Sequence, residues 1–409
     1  MLIDFVLLRL HSKTLHKQIN MKPQIQRLHV IDALRGFAIV AIMLLHNLEH
    51  FDFYFLPPDL PEWMVKLDQT VWDTLFFLFA SKSYSIFALL FGLTFFIQSN
   101  NQQQKGKDFR GRFAWRLVLL FAFGMLNSLF FQGDILTIYA VIGFLLIPLA
   151  NLPNKALVGI AIVMLLQPLE WMGLIEALQN PAMEISNPVS WTYFGKMQDY
   201  IPESSIINTW AGNITNGKKA VLLWNWENGR FFIIFAMFLF GLVAGRKQLF
   251  VNTETTNKFW KKVLIAATMA FIILYPIRMV LPGWIESAAI ERSVMTMFTP
   301  WTDIALMLVW VSVITLLFQK GRWQGFLMLF APLGKMSLSN YMMQSVLGSS
   351  IYYGYGLALY QYTGATYSFL IAILLTAFTG IFCHWWAKHY KHGPLEGIWH
   401  KLTWIGTRK

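Results

Sequence analysis

The chain has 409 residues, of which 56% are hydrophobic, 16% aromatic and only 13% charged. A soluble domain is about 25% charged and roughly 45–50% apolar, so this balance excludes an ordinary soluble protein, and the aromatic content excludes disorder. The net charge of +12 (33 basic against 21 acidic residues) fits a basic face laid along a membrane better than a nucleic-acid partner. One cysteine, Cys383, permits no internal disulfide and fits no metal spacing, so no metal is expected.

The first 27 residues read as a cytoplasmic extension. MLIDFVLLRLHSK is interrupted by Asp4, has no basic residue ahead of it and lacks a small-x-small cleavage site, so it is a poor signal peptide. Met21 opens a more natural start, and the first twenty residues are expected to be dispensable.

A membrane-crossing helix needs about 20 mainly apolar residues. Ten such stretches follow in order: 33–50, 71–98, 113–131, 135–150, 156–173, 231–245, 263–280, 304–318, 327–350 and 369–386. The connections alternate in charge. Lys105, Lys107, Arg110, Arg112 and Arg116 mark one side, as do Arg246, Lys247, Lys258, Lys261 and Lys262, then Lys320 and Arg322 and the tail. The positive-inside rule puts these in the cytoplasm with both termini. The expected fold is therefore all-α and polytopic, with one transmembrane domain over 28–403, an outer loop at 174–230 and a short tail at 404–409. As one helix, 71–98 would run about 42 Å through a core of roughly 30 Å, so Ser81-Lys82-Ser83 near its middle predicts a break. The outer loop holds Trp191, Tyr193, Trp210, Trp224 and Trp226, and its Asn213-Ile-Thr215 triplet matches a glycosylation acceptor.

Ionisable side chains inside a membrane are costly and mark candidate sites. Arg35 and His46 are eleven positions apart, about 16.5 Å along a helix and on nearly one face. Arg35 would sit at the cytoplasmic edge, where it can hold a phosphate, and His46 deeper, where it can move a proton near neutral pH. The plainer alternative is an arginine reaching for headgroups and a histidine bonding a neighbouring helix. Lys82 would hold an anion or serve as counter-ion to an acid. Asp134, opening a helix from the outer side, would orient His46 or complement the helix dipole. Asn47, Glu49 and His50 surround the same outer end, and His50 or Asn47 are alternatives to His46. Arg112 and Arg116 would join Arg35 at the cytoplasmic mouth.

At these residues the sequence resembles a known family. DALRGFAIVAIMLLHN (32–47), KSYSIFALLFGLTF (82–95), RLVLLFAFGMLNSLFFQGDILTIYAVIG (116–143), GKMSLSNYMMQS (334–345) and GPLEGIWHKLT (393–403) resemble, in order, motifs of the YeiB-like bacterial membrane proteins, labelled domain of unknown function 418. That family is similar to transmembrane acyltransferases, including the acyltransferase 3 and heparan-glucosaminide N-acetyltransferase groups. The arginine–histidine spacing of acyltransferase 3 proteins matches Arg35 and His46. YeiB-like proteins usually have asparagine where His46 stands, and often histidine where Asn127 stands.

The resemblance implies a multi-pass protein of the bacterial inner membrane. Its expected activity is transfer of an acyl group from cytoplasmic acyl-coenzyme A, acetyl-coenzyme A being the simplest donor. The acceptor would be a small molecule, lipid or glycan at the outer side. A transporter and a non-catalytic scaffold are the competing classes, and a homodimer stays open.

Overall fold

The computed structural model describes residues 28–49 and 57–406, and all regular structure among them is helical. The expectations for 1–27 and for His50 lie outside the described residues.

Helix α1 (His29–Glu49) runs through the middle of the molecule, with Leu34, Ala38, Ile39, Met43 and Leu48 fully enclosed. Next come α2 (Glu62–Phe79) and α3 (Lys82–Gln103), separated at Ala80–Ser81, where Ser81 takes a left-handed conformation (φ 64°). This is the break expected at Ser81–Ser83. The hydroxyls repair it: Ser83 donates to the Phe79 carbonyl at 2.9 Å and Ser85 to the Ser81 carbonyl at 2.7 Å, satisfying backbone groups that lipid could not.

Helix α4 (Arg110–Phe130) leads through a tight turn into the short α5 (Leu136–Gly143) and α6 (Leu146–Leu149). Helices α7 (Asn154–Leu165) and α8 (Pro168–Gln179) follow, kinked at Gln167. The expected outer loop is instead mostly helical: α9 (Val189–Gly195), α10 (Ile206–Gly212), a π-helical turn at Asn213–Gly217 and α11 (Lys218–Glu227). One face of its second half packs inside the protein, where the charge of Lys218 pairs with buried Asp134. Asn213 is fully buried and donates to the Leu129 carbonyl at 2.9 Å, so it cannot present its amide as a glycosylation acceptor.

A 73° bend at Asn228–Gly229, with Gly229 at φ 61°, turns α11 into α12 (Arg230–Arg246). Helices α3 and α12 run side by side with their N-termini at the same end. Their backbones touch: a Cβ on Gly92 would collide with the Phe238 carbonyl, and one on Gly241 with the Leu89 carbonyl. Glycine is required at both crossings for this close approach.

The remaining elements are the hairpin of α13 (Glu254–Trp284) and α14 (Ala288–Gln319), the short α15 (Gln324–Leu327) and α16 (Ala331–Lys335), then α17 (Ser337–Tyr352), α18 (Ala365–His389) and α19 (Pro394–Thr403). A Thr253–Thr256 capping box starts α13. Ile265, Met269, Ile272 and Ile273 on α13, and Leu374, Phe378 and Ile381 on α18, face outward. An apolar belt of this extent suits lipid, not water.

By length and composition, seven stretches among the described residues can cross a membrane: α1, α2–α3, α4, α7–α8, α13, α14 and α18. The bent pair formed by Ile206–Glu227 and α12 makes an eighth. The two other expected spans, 135–150 and 327–350, are assembled from short helices interrupted around Phe144–Leu145 and Met336. The chain is thus an all-helical, multi-pass membrane protein.

Candidate functional site

Two cavities lie end to end along α1. The first, about 410 Å³, is reached from the Arg35 end. Its inner walls are apolar, with Phe91, Phe95, Leu117 and Leu120, while Arg35, Arg116, Lys335, Lys391, His392 and His400 stand around it. The second, about 650 Å³, lies at the His46 end and is lined by His46, Glu49, Trp191, Phe194, Trp224, Asn225 and Arg230. Ile42, Tyr84, Ile135 and Tyr341 border both and form the partition. Tyr341 is held in place by the Ile135 N–H, which donates to its hydroxyl at 3.2 Å. The Tyr139 hydroxyl donates to the Tyr84 carbonyl at 2.6 Å.

Arg35 is half-buried and donates to Thr94 Oγ1 at 2.7 Å and to Asp32 Oδ1 at 3.4 Å. Its neighbour across the cavity, Arg116, lies over the Trp399 ring (4.1 Å to the centroid) and donates to Thr403 Oγ1 at 3.1 Å. Helix α19 forms one wall of this cavity. Glu396 fixes it by accepting the N–H groups of Leu338 and Ser339 at 2.8 and 3.1 Å, capping the free N-terminus of α17. The rings of His392 and His400 stack at 4.9 Å. Partial burial, then His392, Arg116 and Lys391, lower the pKa of His400.

Arg112 is not brought to the cavity. Its guanidinium donates to the Thr403 carbonyl at 2.7 Å and lies over Trp404, so it fastens α19. Lys82 also serves the fold. It is buried and paired with Asp303 at 2.8 Å, and Arg278 shares that carboxylate at 3.4 Å. Of the two roles open to Lys82, counter-ion to an acid is the one this geometry displays.

At the other end, His46 packs its ring against Phe131 (4.5 Å) and Tyr341 (6.0 Å) and borders the second cavity. Asp134 does not orient it. Asp134 is fully buried, its oxygens taken by Asn127 Nδ2 (3.2 Å), the Thr137 N–H (2.9 Å) and Lys218 Nζ (3.3 Å). Through Asn127 the acid is tied to α4. Asn47 is buried, donates to the Met43 carbonyl at 2.8 Å and accepts from the Tyr352 hydroxyl at 3.0 Å. It ties α1 to α17 and borders neither cavity.

The sequence reading missed Lys335, Lys391, His392 and His400, although all lie in or beside the 334–345 and 393–403 motifs. It also missed Arg230, Asn225 and Lys218, which it left in a surface loop.

Residues 244–406 match the family described as "Protein of unknown function (DUF418)". This stretch holds Lys335, His392, Glu396 and His400 of the first cavity. The chain is similar to that family in this C-terminal stretch. It is 27% identical over 412 residues to "Uncharacterized protein YxaH" of Bacillus subtilis, covering 93% of this chain and 95% of the relative. It is 24% identical over 408 residues to "Uncharacterized protein YeiB" of Escherichia coli, covering 91% and 95%. A 130-residue stretch is 30% identical to "Uncharacterized 39.9 kDa protein in amylase 3'region" of Bacillus acidopullulyticus, covering 32% and 36%. No solved structure matches the chain.

Proposed function

We propose that this protein is a membrane acyltransferase that takes an acyl group from cytoplasmic acyl-coenzyme A, acetyl-coenzyme A being the simplest donor, and delivers it to an acceptor at the outer side of a bacterial plasma membrane. The observation that carries this reading is the pair of cavities, cationic on one side of a thin partition and aromatic with a histidine on the other. Arg35, Arg116, Lys335 and Lys391 suit the phosphates of the donor, and the apolar throat suits its thin pantetheine arm. His46 would take the proton of an acceptor hydroxyl or amine as the new bond to the acyl carbon forms and the thiolate leaves. His50 is the alternative base.

The chain then crosses the bilayer ten times, with 135–150 and 327–350 as broken crossings and both termini cytoplasmic. Reporters after Lys105, Arg246 and Lys320 should read cytoplasmic, and one within 184–219 external. The bilayer is its partner, monomer and homodimer being equally compatible. The deciding experiment measures coenzyme A-dependent thermal stabilisation and transfer from labelled acetyl-coenzyme A. Absence of both sinks the proposal.

A transporter is the second reading, favoured by two interrupted helix pairs, α2–α3 and α11–α12, whose breaks border one another at the second cavity. It predicts solute counterflow in proteoliposomes with no acyl transfer.

A further inference from the structure

The second cavity contains a cation that the fold leaves unpaired. Arg230 opens α12, and its guanidinium lies 3.8 Å from the centroid of Trp224 and 4.7 Å from that of Tyr84. Among the described residues it has no carboxylate partner and no hydrogen-bond acceptor. This sets it apart from the buried cations of the region, Lys82 with Asp303 and Lys218 with Asp134. A guanidinium clamped by ring faces keeps its N–H donors in its own plane, away from the rings, in the fork that fits phosphate or carboxylate.

The charge around it is also positive. Arg230 and Asp303 border the same small side cavity of about 220 Å³. Asp303 is already shared by Lys82 and Arg278, so three cations face one carboxylate. In a low-dielectric interior such an excess favours an anion. The N-termini of α3 and α12 meet here, and their dipoles act in the same sense.

A second polar group faces the same cavity. Asn225 is 2% exposed, and its Nδ2 is held by the Val221 carbonyl at 2.7 Å. Its Oδ1 is buried with no partner. A buried carbonyl oxygen left without a donor is costly, so the cavity is built to receive a hydrogen-bond donor as well as an anion. Glu49 lies on the α1 side of the cavity, away from the Trp224–Arg230 wall.

We infer that the second cavity binds an organic anion bearing a hydroxyl or amino group near its phosphate or carboxylate. Arg230 takes the anion and Asn225 the O–H or N–H. As a statement of the acyl acceptor's chemical class, this rests on the acyltransferase reading; as a binding site, it stands apart from it. The ligand is either a lipid headgroup entering from the bilayer or a water-soluble anion.

The full-length protein in a non-ionic detergent tests this with two probes, glycerol 3-phosphate and mixed micelles containing phosphatidylglycerol. Glycerol and phosphatidylcholine are the controls. Tryptophan fluorescence and thermal midpoint are the readouts, since Trp224 lies on the arginine. The expected result is a saturable response to at least one probe and to neither control, and the responding probe identifies the source. Arg230→Gln should weaken binding about 10–100-fold and Asn225→Leu about 2–10-fold. If Arg230→Gln does not fold, Arg230→Lys, which keeps the charge and loses the flat fork, carries the test with Asn225→Leu.

No saturable response to either probe overturns the inference, as does wild-type affinity in these variants. Phosphate binding without transfer from acetyl-coenzyme A leaves the site standing and removes the acyltransferase reading. Transfer to a neutral alcohol with no phosphate response does the reverse.

Discussion

The two cavities are built from different material. The one at the Arg35 end gathers flexible cations from α1, α4, α16 and the α18–α19 connection around a narrow apolar throat. The one at the His46 end is a wider chamber of rings and amides, much of it supplied by 191–230. Long cationic side chains at a rim can follow a mobile polyanion, whereas clamped rings and fixed amides select a shape. The contrast also separates two uses of charge. Lys82–Asp303 and Lys218–Asp134 neutralise each other within the protein, while Arg116, Arg230 and Arg35, the last also paired with Asp32, border space a ligand can enter.

The strongest attack on this division is His46→Ala. General-base catalysis is typically worth about 10²–10⁴-fold. Transfer from labelled acetyl-coenzyme A should fall by that factor while coenzyme A still raises the thermal midpoint; undiminished transfer would move the base to His50.

Lys218→Met should act on the fold instead. It strands the Asp134 carboxylate in the interior, which costs about 3–5 kcal/mol. Denaturation in detergent should show the loss, and adding Asp134→Leu should recover part of it. A single variant as stable as wild type would mean that this pair does not hold the chamber together.

Arg35→Ala removes a charge-assisted contact to phosphate, so donor affinity should fall about 10–100-fold with the histidine intact. Arg112→Ala sharpens the same point. Its bonds go to the carbonyls of Thr403 and Ile405 at and just past the end of α19, so it should lower stability by about 1 kcal/mol and change donor affinity much less than Arg35→Ala. Equal effects on affinity would place Arg112 in the donor site after all.

The smallest effect is expected from pH. His400 has a lowered pKa in the folded protein, so between that value and about 6.5 the unfolded chain binds more protons. Stability without ligand should therefore fall as pH drops below about 6.5. A bound polyanion favours protonated His400, so coenzyme A should offset the fall. His400→Asn should flatten both trends in a pH series of melting curves; unchanged slopes would exclude His400 from the rim.

Much of this was legible along the chain. The break at Ser81–Ser83 followed from a segment too long for the bilayer with a lysine at its middle. The shared face of Arg35 and His46 followed from helical periodicity. The partners of the buried ions did not, since nothing local to Asp134 indicates Lys218, 84 residues away. The same holds for Arg112, whose carbonyl acceptor on Thr403 is 291 residues distant. The burial of Asn213 and Lys218 within 174–230 was hidden for a related reason: counted residue by residue their polarity looks like solvent exposure, and these two side chains become interior only once the Leu129 carbonyl and Asp134 are there to pair them.

The sequence by itself determined the membrane class, the helical architecture and the first-helix pair, because transfer free energy and helical period act over neighbouring residues. Tertiary structure alone decided which charges are spent on each other and which are left facing a cavity. Pairing a buried ion requires a partner within a few ångströms in space, at no fixed distance along the chain.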